Sequence, residues 1–489
     1  MKNKVTDNGE AAMTLRKSCD ADRRDGKSRG PQQLVHISLF TGAGGLDLGL
    51  EMAGFDTVAA VEINSYACES LRKNQEIARM DPKDFEVWFE KNVSSNPTYV
   101  RLGSSEMALL KKRLVTAIGK RKYLSNASVF ESDIKKVDPS ELLDAAGCDI
   151  GEIDLISGGP PCQPFSRAGK RETLNDDRGS LFAEFVRIVG AIRPRAFLFE
   201  NVKGLVQSKA DIWFAHCDVC GLDTFPEFAI DRNPPEKNSA SPACRSCKSK
   251  NTHWVIHEKC PGGSARVIRA EFERLGYQCH EALLEAANYG APQYRQRWIL
   301  VGFREKCDFS FPEPTHGNVE RTDIFSQKEA AHRTLADAIL SDEFNYHGVK
   351  SSSKQAVLWV KNVVRPHDEP VTWTVNRPSP TIGAHQGAKL AIAPNGVPEE
   401  QLFRQQWHTK GRRQGDTPPV HVDHEYLTDH DLLRLQTFPD DWFVFGTRME
   451  RAFQIGNAVP PILAKVVGSA IVQSLSMPIQ AAKPAKPST

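Results

Sequence analysis

Apolar positions along the chain fall into short runs, each ended by a turn and followed by a stretch with helical spacing. The first run, Leu34-Val-His-Ile-Ser-Leu-Phe40, leads into Thr41-Gly-Ala-Gly-Gly-Leu46 and a helical pattern through Leu48, Leu50 and Met52. A second, Thr57-Val-Ala-Ala-Val61, stops at Glu62, and a third, Ser128-Val-Phe130, stops at Ser132-Asp133-Ile134. Further strand-like runs cover Ile153–Ile156, Arg195–Phe199 and Trp298–Val301, while Ser180–Ile192 and Arg266–Leu275 carry helical spacing. Strand, glycine loop, helix, strand, acid, strand, acid is the order of a nucleoside-binding half of a Rossmann-like sheet. The fold expected is α/β, with a doubly wound sheet.

Composition narrows this picture. A chain of 489 residues has room for two or three domains, and its 40% hydrophobic and 25% charged content is that of an ordinary globular protein. No apolar run approaches the ~20 residues of a membrane helix and the N-terminus shows no signal-peptide pattern, so a cytoplasmic location without membrane contact is expected. Eleven cysteines in such a chain point to metal or catalytic thiols rather than a disulfide frame. The formal net charge of +2 means that any nucleic-acid contact must come from a local basic surface. Residues 1–33 and 476–489 read as disordered tails.

Candidate chemistry sits at the ends of the runs. Glycines in the 41–46 loop let backbone approach a ligand, and Glu62 and Asp133 are placed as acceptors for ribose and base. The run ending at Ile156 stops in Gly-Gly-Pro-Pro and presents Cys162, whose position the two prolines stiffen. Glu200 ends the neighbouring run. Alternation places Gln293, Arg295 and Arg297 on one face, where guanidiniums suit a phosphate or a polarised carbonyl. The basic stretch Met107–Leu124 fits a solvated helix face or a phosphate contact.

Together these segments resemble the DNA cytosine-5 methyltransferase family. The resemblance rests on Phe40-Thr-Gly-Ala-Gly-Gly, Pro160-Pro-Cys-Gln, Glu200-Asn-Val, Gln293-x-Arg295-x-Arg297, Arg434-Leu-Gln-x-Phe-Pro439 and Gln454-Ile-Gly-Asn457-Ala-Val459-Pro, in that order. It implies S-adenosylmethionine as methyl donor, double-stranded DNA as substrate and extrusion of the target base from the duplex. It also implies Cys162 as nucleophile toward carbon 6 of cytosine and Glu200 as general acid at N3, with Arg295 and Arg297 facing the base and its backbone. For the donor it implies Phe40, Gly42, Ala43, Gly44, Gly45, Leu46, Glu62, Ile63, Asp133, Ile134, Pro160, Leu181, Asn457 and Val459. The compact members of the family are prokaryotic or phage modification enzymes. A monomer is therefore expected, with a cognate restriction endonuclease as its one suggested functional companion.

Two regions depart from the family pattern. Insertions are expected at about 75–127 and 208–263, and the second carries Cys217-x-x-Cys220 and Cys244-x-x-Cys247, a zinc-ribbon spacing that calls for a structural Zn²⁺. The catalytic domain is expected over 34–303, a target-recognition domain over 304–425 and a returning segment over 426–475. In the recognition domain Arg377-Pro-Ser-Pro-Thr381-Ile382 resembles a family element, and the loop with Arg412 and Arg413 is a candidate for groove contact. The rival readings are a tRNA cytosine-5 methyltransferase on the same fold and a catalytically silent DNA-binding protein built around the ribbon.

Overall fold

The computed structural model describes residues 34–99, 104–119, 123–161, 180–225, 235–236, 239–317, 330–339, 357–360, 373–384, 390–393 and 425–477. A seven-stranded sheet organises them: β1 (Leu34–Leu39), β2 (Phe55–Glu62), β3 (Ser128–Glu131), β4 (Leu155–Gly158), β5 (Ala196–Val202), β6 (Gln278–Glu285) and β7 (Gln296–Phe303). Their spatial order is β3-β2-β1-β4-β5-β7-β6. The first five strands pair parallel, and β7 runs antiparallel between β5 and β6. The order reverses between β1 and β4, and doubly wound sheets place ligands in the crevice at that point.

The central strands are apolar on both faces because both faces are covered. Phe197 and Phe199 of β5 pack with Leu142, Phe185, Ile188 and Phe272, which come from the helices Pro139–Ala146, Ser180–Ile192 and Gly263–Arg274. Leu198, between those two phenylalanines, faces the opposite way and joins Leu46, Leu50, Leu463 and Val467. That second layer unites the first helix of the fold, α1 (Gly45–Met52), with the last, Pro461–Ser476. The approach is close enough to demand glycine: a Cβ on Gly49 would lie 2.3 Å from the Pro461 carbonyl oxygen, and one on Gly45 would lie 2.4 Å from that of Val459. The chain end therefore folds back onto the first turn of the sheet.

Among the described residues one helical stretch, Arg448–Ser476, has the length and hydropathy of a membrane span. It is broken at Pro460-Pro461 and 61% of its most apolar window is buried, so here it serves as core helix. A polar pin crosses the sheet beneath the crevice. His36 of β1, fully buried, bonds Thr57 Oγ1 of β2 at 2.9 Å and Ser157 Oγ of β4 at 2.8 Å, and burial pushes its imidazole down to about 3.

Both departures from the simple α/β pattern are built structures. The helix Ser104–Ala117 covers much of the basic stretch: Lys111 pairs with Glu86 at 2.5 Å on the surface, Lys112 is exposed, and Arg113 is half-buried in the field of Asp440 and Asp431. The insertion after β5 forms a separate sheet in which the strand Lys209–Cys217 lies between Asp223–Thr224 and Thr252–Pro261. A four-stranded sheet gathers Trp373–Thr374, Val357–Val360, Leu390–Ala393 and Glu425–Tyr426.

Candidate active site

The glycine loop leaves β1 at Phe40, which is half-buried and held at φ +57°, and turns again at Gly42 (φ +57°) and Gly44 (φ +79°). Left-handed backbone suits glycine and costs any other residue, so the phenylalanine position is strained. Thr41 anchors the loop through its N–H to the Val61 carbonyl and its hydroxyl to Ser38 Oγ at 2.9 Å. Glu62 closes it. Its carboxylate accepts the N–H of Gly42 at 2.7 Å, of Ile63 at 2.9 Å and of Asn64 at 2.8 Å. A carboxylate has about four acceptor sites, which leaves about one for a ligand hydroxyl. Ile63, beside it, is 66% exposed, a large apolar surface left at the mouth of the crevice.

The other residues implied for the donor divide into those that face outward and those that do not. Ala43, Leu46, Ile134 and Val459 are buried, while Gly44, Gly45 and Pro160 are buried by the packing around them, so the side chains of the first group belong to the core. Asp133 is half-buried and its carboxylate already caps the turn Ile134–Lys136 by accepting the Lys135 N–H at 3.1 Å. Leu181 is half-buried against the helix-covered core, and Asn457 is exposed. Asp47, a residue outside the expected set, is fully buried in the first turn of α1, where Ser38 and the helix backbone only partly offset the cost of burying it. Burial, with the nearby Glu62 charge as a lesser contribution, pushes its carboxyl up to about 7. The signal was present, because an acid inside an otherwise apolar helix face asks for an explanation.

Across the crevice, Glu200 near the end of β5 is 8% exposed and Arg297 at the start of β7 is 7% exposed, and each is the other's charge partner. Arg297 Nε stands 2.6 Å from Glu200 Oε1, an ion pair by distance whose N–H is not aligned as a hydrogen bond. Burial raises the Glu200 carboxyl above its ordinary range, while Arg297 and Arg295 pull it down. The carboxylate is held against the turn after β4: a Cβ on Gly159 would lie 2.5 Å from Glu200 Oε2, and Asn201 Nδ2 donates to the Pro160 carbonyl at 3.2 Å. Pro161 is exposed at the end of that turn, and Cys162 lies outside the described residues, as do Arg412 and Arg413.

Arg295 departs from the expectation of a substrate-facing arginine. It is 1% exposed, and its guanidinium donates to the carbonyls of Ile382 at 3.0 Å and Gly456 at 2.7 Å. Alternation did not carry over here because β7 begins at Gln296 and Arg295 lies just before it, outside the ladder. Gln293 works beside it, accepting the Ile382 N–H at 2.9 Å and donating to Gln436 Oε1 at 3.2 Å, while Gln436 donates to the Ile455 carbonyl at 2.7 Å. Ser379 bridges Gln293, so the Arg377–Ile382 element lies on the catalytic side rather than within the four-stranded sheet.

The two Cys-x-x-Cys knuckles meet at the tip of the inserted sheet. The Sγ atoms of Cys217, Cys220, Cys244 and Cys247 all lie within 4.8 Å of one another. Cys217 and Cys247 are 3.5 Å apart and Cys220 and Cys244 are 3.4 Å apart. A tetrahedron with metal–sulfur bonds of ~2.3 Å has edges of about 3.8 Å, so the donor set fits a four-thiolate metal ion. The Cys247 backbone N–H is the chief influence that pulls the Cys244 thiol down to about 6.

The sequence profile of the family described as C-5 cytosine-specific DNA methylase matches residues 34–94, 119–217 and 256–473, well over half of the chain. The unmatched stretches between them contain the helix Ser104–Ala117 in full and three of the four cysteines at the ribbon tip, Cys217 being the last residue of a matched segment. Type II methyltransferase M.AquIA of Picosynechococcus is 29% identical over 306 residues, which cover 62% of this chain and 86% of that protein. Type II methyltransferase M1.HphI of Haemophilus parahaemolyticus is 26% identical over 90% of this chain and 87% of its own length. Type II methyltransferase M.BspRI of Lysinibacillus sphaericus is 26% identical over 96% and 88%. With a glycine loop, a carboxylate at the end of β2 and a buried Glu200–Arg297 pair in one crevice, this chain belongs to the C-5 cytosine-specific DNA methylase family.

Proposed function

We propose that this chain methylates carbon 5 of cytosine within a specific duplex DNA sequence, as the modification enzyme of a prokaryotic or phage type II restriction-modification pair. The observation that carries the reading is the Glu200 carboxylate, buried with Arg297 and pressed against the turn that leads to Cys162. S-adenosylmethionine supplies an electrophilic methyl group when bound. Phe40, the 42–46 backbone, Glu62, Ile63, Asp133, Ile134, Pro160, Leu181, Asn457 and Val459 are the residues that would hold it, Ile134 and Val459 through backbone rather than side chain. Exposed Ile63 offers the apolar surface on which a flat base would lie, and the remaining acceptor site of Glu62 suits a ribose hydroxyl.

Carbon 5 of cytosine is a weak nucleophile, so the Cys162 thiolate adds to carbon 6 and moves electron density to carbon 5. Glu200 donates a proton toward N3 as that charge develops, and Arg297 keeps the resulting carboxylate stable in its buried place. Carbon 5 then takes the methyl group, a base removes its proton, and the thiolate leaves carbon 6. The target carbon is out of reach inside a duplex, so the base is flipped into the crevice. Residues 304–425 contribute site recognition, and the four-cysteine cluster holds a structural Zn²⁺.

Transfer of labelled methyl from S-adenosylmethionine to duplex DNA, with tRNA and Cys162→Ala alongside, tests this. Label in DNA with the parent protein and none with the variant is the expected result. Label confined to tRNA, or undiminished transfer by the variant, defeats it.

A further inference from the structure

We infer that the second metal knuckle of the inserted ribbon is a clamp for DNA phosphates outside the recognition site. The inference rests on duplex DNA being the substrate. The ribbon is rooted at the active site: β5, which carries Glu200, passes through the short helix Lys203–Gln207 directly into the strand Lys209–Cys217. The root is rigid. Gly262 donates its N–H to the Ser208 carbonyl at 2.8 Å, Ser208 Oγ bonds Ser264 Oγ at 2.9 Å, and a Cβ on Gly263 would lie 2.9 Å from the Ala210 carbonyl oxygen. From there the ladder runs from Lys209↔Pro261 to Cys217↔Thr252, with one irregularity between Ala210 and Ile212. Nine residues at ~3.3 Å per residue make an arm of about 30 Å, the length of about nine base pairs at ~3.4 Å each.

The two knuckles at its tip differ in charge. The acids of the first each lie against a histidine, Asp223 2.8 Å from His216 Nδ1 and Asp218 3.1 Å from His253 Nδ1. The second presents Arg245, Lys248 and Lys250, all three exposed and none paired with a carboxylate among the described residues. Lys248 is held at φ +59° and donates its ammonium to the Arg245 carbonyl at 2.9 Å, which sets the basic groups on one tight turn. Four thiolates on one metal ion make that turn stiff without needing a large core. A rigid basic tip, on an arm that starts beside the catalytic carboxylate of a DNA enzyme, suits the backbone of the same duplex. The second knuckle, with Arg245, Lys248 and Lys250, lies in a stretch that the family profile does not match.

The test uses the full-length protein and its R245E/K248E/K250E variant, with the neutral R245Q/K248Q/K250Q variant as a second reagent should charge reversal cost the metal. DNA binding is measured against salt on two duplexes carrying the methylated site, one with flanks of about four base pairs and one with flanks of about fifteen. Three phosphate contacts contribute about 2.7 to the salt slope. A fourfold rise in salt should therefore weaken wild-type binding to the long duplex about 40-fold more than binding by the variant, with little difference on the short duplex. Methyl transfer at saturating DNA should be unchanged. Equal slopes on the long duplex for wild type and a metal-retaining variant would overturn the clamp, as would equal loss on both duplexes. Absent methyl transfer by wild type, with the slope difference intact, would instead refute the enzymatic reading and leave the clamp standing.

Discussion

Replacing Arg297 with Met is the sharpest test of the site's electrostatics. Both members of the pair are nearly inaccessible, and Arg297 Nε lies 2.6 Å from Glu200 Oε1. Deleting one partner of a buried pair typically costs ~3–5 kcal/mol, because the other charge stays buried without compensation. Arg295 remains nearby and softens this loss, so about 3 kcal/mol is expected. Glu200→Gln in the same background removes the stranded charge, and the double variant should recover about 2 kcal/mol or more of what Arg297→Met lost. The assay is urea unfolding of the four proteins of the cycle, followed by circular dichroism. The chemistry moves the opposite way. Glu200→Gln cannot give up a proton to N3, so the stability-rescued double variant should stay inactive. In the single variant the carboxyl loses the arginine that held it down, its pKa rises, and the basic limb of residual activity moves to higher pH. If the single and double variants unfold at the same urea concentration, Glu200 is not charged in that environment and the account of the pair fails.

Two further perturbations probe groups outside that pair. Burial pushes Asp47 up to about 7, against about 3.9 in the unfolded chain, so its stabilising contribution is full below about pH 4 and is lost as pH rises toward 7. Asp47→Asn cannot ionise and should gain about 2–3 kcal/mol on the parent between pH 5 and pH 8 in denaturant titrations; a pH-independent difference would show that Asp47 is not the buried acid described. Purified protein should carry one zinc per chain by elemental analysis, Cys217→Ser should lower that occupancy, and a chelator should speed amide exchange over 209–261 while sparing β1–β5; metal-free protein with unaltered exchange would remove the zinc site.

The strands are legible in the sequence because their runs are apolar on both faces, and burial bears this out for β4 and β5. Boundaries slip by a residue or two. Ile153 and Asp154 look like strand, yet β4 starts at Leu155, although the Asp154 backbone still bonds Val35 and Ala196 and its carboxylate adds the Val35 N–H at 2.8 Å and Arg195 at 2.7 Å. The glycine loop and Glu62 can be found from their order alone, but not that Glu62 spends three acceptor sites on backbone. Arg113 looks like one more charge on a solvated helix, and only tertiary packing sets it against Asp440 and Asp431.

Arg295 shows most clearly why spacing cannot assign roles. Two arginines two residues apart look equivalent in a strand, but one residue of displacement in the strand start sends one to Glu200 and the other to the carbonyls of Ile382 and Gly456. Those carbonyls belong to segments separated by 74 residues, and Gly456 has no room for a Cβ because the backbone of Ala384 would stand 2.7 Å away. A guanidinium with five donors in a fixed plane can satisfy two such buried carbonyls at once, which the point charge of lysine cannot do in the same geometry. The end of the helix Arg448–Asn457, the Arg377–Ile382 element and the segment leading into β7 are thereby tied at one buried point. Arg295 thus carries the geometry on which Arg297 and Glu200 depend, so a change at this distance from the reacting atoms disturbs all three segments together.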